Sequence, residues 1–121
     1  MDWIVELHPL FAEEFEMFSE SVKDRFFEEI LLLETFGPLL GRPTVDTLNA
    51  SKYSNMKELR FDSDGGVWRT AFAFDPDRKA ILLIAGNKSG GSQKRFYKQL
   101  IKKADSRFDE HLQKLEEEKN G

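Results

Sequence analysis

Residues 56–104 read MKELRFDSDGGVWRTAFAFDPDRKAILLIAGNKSGGSQKRFYKQLIKKA, and the fold turns on how this stretch pairs with itself. Two apolar-alternating runs are joined by the turn-forming DSDGG; a third apolar run, a glycine-serine loop and a basic helical run follow. This order predicts a three-strand meander feeding a helix. Side-chain parity selects the register of the first hairpin. With Phe61 opposite Trp68, the residues Leu59, Phe61, Trp68, Thr70, Phe72 and Phe74 share one apolar core face, because paired residues point the same way and successive residues alternate. A slip of one position would mix Leu59 and Phe61 with Arg69, Ala71 and Ala73. The selected register sets Arg60 directly across from Arg69. Like charges opposite each other destabilise a sheet by up to ~1 kcal/mol, so an anion is the expected partner; the alternative is two solvated arginines on an open sheet face. Glu58 shares that face and can neutralise part of the charge, while Ala71 and Ala73 leave room.

Upstream, Trp3 to Leu7 alternates as a short strand, ended by His8-Pro9. Phe11, Phe15, Phe18, Val22, Phe26, Ile30 and Leu33 then recur at three and four, a core-facing helical stripe. A single helix over residues 9–36 would be long for so small a domain, and Ser19-Glu20-Ser21 can cap a second, so a helical pair or kinked helix is expected. Gly37-Pro38 stops it. The stretch LLGRPTVDTLNASKYSN reads as a long loop, a form that is uncommon unless functional. Downstream, residues 80–86 are apolar on both faces, as in a central strand. Ser92 caps the final helix, whose stripe is Phe96, Leu100, Ala104, Phe108, Leu112 and Leu115. Its first turns hold Lys94, Arg95, Lys98, Lys102 and Lys103, and its end holds Glu116, Glu117 and Glu118. Both placements oppose the helix macrodipole. The basic start therefore reads as an anion site, where backbone N–H groups and flanking cations converge, and the acidic tail after Leu115 is expected to fray.

The chain of 121 residues, 40% apolar and without cysteine, fits a single domain over 1–121 that uses neither disulfides nor thiolate chemistry. No apolar run is long enough to span a bilayer. The start MDWIVELHPLF lacks the features of a signal peptide, so a soluble cytoplasmic protein with no membrane partner is expected. Net charge is −4, but residues 1–50 hold 3 basic and 11 acidic groups and residues 51–104 hold 12 basic and 5 acidic. A basic segment within an acidic chain implies an anion-binding surface, unless the acidic helices pair with the basic sheet. His8 and His111 lack metal-ligand spacing, no phosphate-binding glycine loop and no serine elbow are present, and neither metal nor cofactor is expected. What remains is a cluster of Lys, Arg and Tyr. Such a set can cleave RNA, since the substrate's own 2′-OH serves as nucleophile while the arginines hold the developing phosphate charge and a lysine moves a proton.

The order strand, helical pair, loop, meander, helix resembles the RelE/ParE toxin superfamily. The run LGRPTVDTLNASKYSNMKELRF, the GVWRTAFAFDPDRKAILLIAGNKSGG that follows and KRFYKQLIKKAD are similar to its HigB-type branch, the likeness covering roughly residues 3–112. The resemblance implies an α+β, RelE-like domain in which a small antiparallel sheet, made of the N-terminal strand and the meander, packs against the helical pair and carries a C-terminal helix. It implies a toxin of a type II toxin-antitoxin system, an endoribonuclease that cuts mRNA on the ribosome and is neutralised by a helix-turn-helix, HigA-like antitoxin. Lys57, Arg60, Arg69 and Lys88 are the implied catalytic positions, and Lys94, Tyr97 and Lys98 the implied RNA-binding ones; Arg95 in the basic start of the last helix and Lys52, close in sequence to the arginine hairpin, join the RNA-binding set from the residues themselves. A non-catalytic or gyrase-directed member of the same fold, or a basic-surface interaction module, is the alternative.

Overall fold

The computed structural model describes residues 2–88 and 91–121. A short strand β1 (Ile4–Leu7) leads into α1 (Pro9–Glu16) and α2 (Glu20–Phe36), and then, after a 3-10 turn at Gly37–Leu39, into strands β2 (Val45–Thr47), β3 (Lys57–Ser63), β4 (Gly66–Phe74) and β5 (Lys79–Lys88) and the long helix α3 (Gln93–Asn120). The expected α+β architecture is present. Its sheet differs in two respects: it has five strands, ordered β1-β5-β4-β3-β2, and β1 runs parallel to β5, so the sheet is mixed. The extra strand lies inside the expected loop, where Val45 pairs with Leu59 and is buried and Arg60 N–H donates to Thr44 O at 2.9 Å. Three residues are too few for a periodic signal, and β2 exists because β3 has an edge to pair with.

The two helices meet where Ser19 caps α2, its hydroxyl accepting from Val22 N–H at 3.3 Å. Ser19 and Ser21 also donate to the Asp64 carboxylate at 3.0 and 2.7 Å. Asp64 and Gly65 both have positive φ, 52° and 76°, which a two-residue hairpin of the inverted turn type requires. Thus the β3–β4 turn is fastened to the start of α2.

The predicted register holds: Phe61 pairs with Trp68 and Arg60 with Arg69. Phe11, Phe15, Val22, Phe26 and Leu33 pack with Leu59, Phe61, Phe72 and Leu82 on one sheet face, with Phe26 meeting Phe61 edge-on at 4.7 Å. The opposite face is a second core rather than an open surface. There Ala71, Ala73, Ile81 and Leu83 are covered by Leu100, Ile101, Ala104 and Phe108 of α3. The small alanines admit a helix, and Arg60 and Arg69 lie toward one end of this face. Arg107 of α3, which is buried, ties its helix to α1 and β5, donating to Glu14 at 2.8 and 2.6 Å and to Leu83 O at 2.8 Å. α3 does not stop at Leu115. It runs to Asn120, with Lys119 in the last turn suiting the dipole and reaching Asp77 at 3.4 Å.

Candidate functional site

Alternation along β3 sends Glu58 and Arg60 to the α3 side, and the pairing of Arg60 with Arg69 and of Arg69 with Gly86 lays one row of residues across three strands. Gly86 is needed there. A Cβ at this position would lie 2.9 Å from the Phe96 ring, so the glycine lets α3 approach the row. That approach brings Tyr97 over the arginines: its ring centre lies 5.5 Å from the Arg69 guanidinium, a cation–π contact. The Tyr97 hydroxyl donates to Glu58, and Glu58 Oε1 lies 3.4 Å from Arg69. Burial, and then the hydrogen bond to Glu58 and its charge, push the Tyr97 phenol up to about 12.

The result is a Glu58–Arg69–Tyr97 unit with Arg60 beside it. Arg69 is 14% exposed, and its Nε is buried without a hydrogen-bond partner among the described residues. Arg60 is held more loosely, among the described residues by one 3.4 Å side-chain hydrogen bond to Pro43 O. Both arginines line a cleft of about 490 Å³ that also includes Arg25, Glu29, Thr44 and Asp62. A guanidinium N–H left unpaired beside a second guanidinium group is suited to take an anionic oxygen.

The remaining predicted residues fall into separate places. Lys88 pairs with Val67, two rows beyond Arg69 and Gly86, and alternation puts it on the same face as Arg69. Lys94, Arg95 and Lys98 are exposed and line, with Lys102, a groove of about 560 Å³ along the start of α3. Lys94 and Lys98 flank Tyr97, and Ser92 caps this end by accepting from Arg95 N–H. Ser89 and Gly90 of the glycine-serine loop lie outside the described residues.

Lys57 and Lys52 are not brought to the pair. Lys57 is in register with Phe72 and Thr47, on the α2 side of the sheet, and donates to Thr47 Oγ1 at 3.2 Å. Lys52 is anchored to Asp109 at 2.7 Å and stacks on Tyr53. Asp109 is twelve residues beyond Tyr97, ~18 Å down the helix at 1.5 Å per residue. The Lys52 ammonium and the Tyr53 hydroxyl hold the Asp109 carboxyl below its usual range.

Sequence reading understated Glu58, taken only as a partial neutraliser, because the hydrogen bond from Tyr97 spans 39 residues. It also separated the two histidines. The fold brings them to one end, where both line a cavity of about 700 Å³; His8 caps α1, and His111 bonds to the fully buried Asp75 carboxylate at 2.7 Å. Among the described residues no group of three His, Cys, Asp or Glu is placed to hold a metal ion.

Comparison with known proteins gives a consistent result. Residues 13–109 match the family described as phage derived protein Gp49-like. The chain is 50% identical over 94 residues to HigB2 and 52% identical over 81 residues to HigB3, two Mycobacterium tuberculosis proteins that carry toxin names. These matches take in 77% and 67% of this chain. They span 46% of HigB2, about half its length, and 68% of HigB3. Among solved structures, free Escherichia coli toxin RelE, in a mutant form, superposes with a TM-score of 0.59 at 8% identity, over 84% of this chain and 95% of that one. The archaeal RelE of the RelE–RelB complex from Pyrococcus horikoshii gives 0.55 at 17% identity, over 75% and 100%. At such identities these two likenesses establish the fold. No helix among the described residues is long and apolar enough to cross a membrane.

Proposed function

The chain belongs to the phage-derived Gp49-like family and within it to the HigB-type, RelE-fold branch, and on that footing we propose that it is the toxin of a type II toxin–antitoxin pair, an endoribonuclease that cuts mRNA on the ribosome in the cytoplasm. The observation that carries the reading is the Arg60–Arg69 pair set beside Glu58 and Tyr97. In this reaction the ribose 2′-oxygen bonds to the adjacent phosphorus and the bond from phosphorus to the 5′-oxygen breaks, leaving a 2′,3′-cyclic phosphate and a 5′-hydroxyl. Glu58 accepts the 2′-hydroxyl proton. Arg60 and Arg69 hold the non-bridging oxygens as charge grows on them, a task for which planar guanidinium forks are suited. Lys88 delivers a proton to the departing 5′-oxygen.

Tyr97 keeps Glu58 and Arg69 in place and offers a ring face to a base. Lys94, Arg95 and Lys98 track the phosphate backbone, a contribution that salt weakens. Lys57 and Lys52, held elsewhere, take no part in the reaction. The P. horikoshii relative of this fold was crystallised with RelB, which supports a neutralising protein partner here, and a helix-turn-helix protein of the HigA-like kind is the partner proposed.

Expression of the chain in a bacterial host tests the reading. Growth arrest with mRNA cut at positions in phase with codons is the expected result. Arrest with intact mRNA and broken DNA would transfer the chain to the gyrase-directed toxins, and unimpaired growth would leave the basic surface as an interaction module.

A further inference from the structure

The inner face of α2, Val22, Phe26, Glu29 and Leu33, is buried. On its outer face Phe27 and Leu31, one turn apart, are 58% and 61% exposed. Residues four apart on a helix lie one above the other, so the two form a continuous apolar strip. Phe27 also meets Phe15 edge-on at 5.7 Å, which carries the strip to the seam with α1. Single exposed apolar residues are ordinary; two in register within a charged rim are less so.

That rim is acidic. Asp24, Glu28 and Glu34 each stand three residues from Phe27 or Leu31 on the same side of the helix. The nearby cations are engaged, Lys23 by Glu16 and Glu20 and Arg25 by Glu28 and Glu29. Among the described residues neither Asp24 nor Glu34 has a cationic partner. An apolar strip with this rim repels nucleic acid. It also disfavours a second copy of the chain placed strip to strip, because the two acidic rims would meet. We infer that the Phe27–Leu31 strip of α2 is the docking site for a basic amphipathic helix of the neutralising partner protein, one with apolar residues at intervals of three and four and Lys or Arg beside them. The inference rests on the toxin reading above for the identity of that partner.

The strip lies on the helical-pair side of the sheet, and Arg60 and Arg69 lie on the α3 side. Capture by the partner and cleavage by the toxin therefore use separate residues. The test co-expresses the chain with the protein of the adjoining reading frame and measures growth, with binding of the two purified proteins by titration. Phe27→Ser with Leu31→Ser is expected to melt like the unaltered chain, to remain toxic, to escape rescue, and to bind about tenfold more weakly or worse. Asp24→Asn with Glu34→Gln, which leaves the strip intact, is expected to weaken binding several-fold and flatten its salt dependence.

Undiminished binding and rescue of the serine variant would overturn the inference, as would failure of the unaltered chain to bind that neighbour. So would self-association of the unaltered chain that the serine variant abolishes, since the strip would then belong to a second copy. Binding that depends on the strip in a chain that never arrests growth would instead remove the toxin reading and leave the docking site standing.

Discussion

Arg60 and Arg69 stand opposite each other across β3 and β4, yet among the described residues only Arg69 has a carboxylate within reach, Glu58 at 3.4 Å. The two members of the pair are therefore not equivalent. Arg60→Ala is expected to abolish toxicity while leaving Tm unchanged or slightly raised, because it relieves a like-charge repulsion worth up to ~1 kcal/mol. Lysine at position 60 restores activity only in part, keeping the charge and losing the fork. A fully toxic, normally folded Arg60→Ala would remove the anion clamp from the reading.

Arg69→Ala should lose activity and stability together, since it strands a buried carboxylate, at a cost of ~1–3 kcal/mol. Pairing Arg69→Met with Glu58→Gln is expected to recover much of that loss and none of the activity. Thermal melts of the two singles and the double give the coupling directly; strictly additive losses would mean that the 3.4 Å contact contributes nothing.

Tyr53 and Tyr97, the two tyrosines of the chain, are both held up to about 12, by burial first and then by their hydrogen bonds to Asp109 and Glu58. The unfolded value is ~10, so folding favours the protonated phenols. The stability that goes with them is complete below pH ~10 and is lost as pH rises toward about 12. Phenolate absorbance of the folded chain should appear near the upper value, and Tyr97→Phe should remove half of it. Ordinary titration of both phenols would contradict the two hydrogen bonds.

Gly37 has φ +53°, and a Cβ there would fall 2.3 Å from the Trp3 indole. Gly37→Ala therefore combines left-handed strain with overpacking at the exit of α2, and a loss of ~2 kcal/mol or more in denaturant unfolding is expected. A neutral result would mean that Trp3 is free to move away.

Arg107→Ala is expected to cost ~3 kcal/mol without changing toxicity per folded molecule. The side chain joins α1, β5 and α3, bonding Glu14 and Leu83 O and neither Arg60 nor Arg69 among the described residues. Activity normalised to folded protein separates this outcome from a catalytic role.

The hairpin register was readable because Phe61, Trp68 and Phe72 alternate with charged or small residues, leaving one pairing that buries them all. The same alternation placed Arg60 against Arg69. It also carried information that was not used: Lys57 differs in parity from Arg60, which puts it on the other side of the sheet. The parallel pairing of β1 with β5 links residues 75 apart and leaves no local trace. Lys52 was judged by its nearness in sequence to the hairpin, whereas its partner, Asp109, is supplied by a helix 57 residues later. The approach of His8 and His111 escaped for the same reason.

The division of charge between the two sides of the sheet makes the net value of −4 a poor guide to how the chain would meet a polyanion such as the proposed RNA substrate. With the acidic α1–α2 pair on one side and the arginines and the start of α3 on the other, positive and negative charge are separated across the sheet. In the field of a polyanion the molecule experiences a torque that turns the basic side forward and the acidic side away before contact. Approach is then steered and productively oriented despite like overall sign, and the association rate falls as salt shortens the reach of that torque.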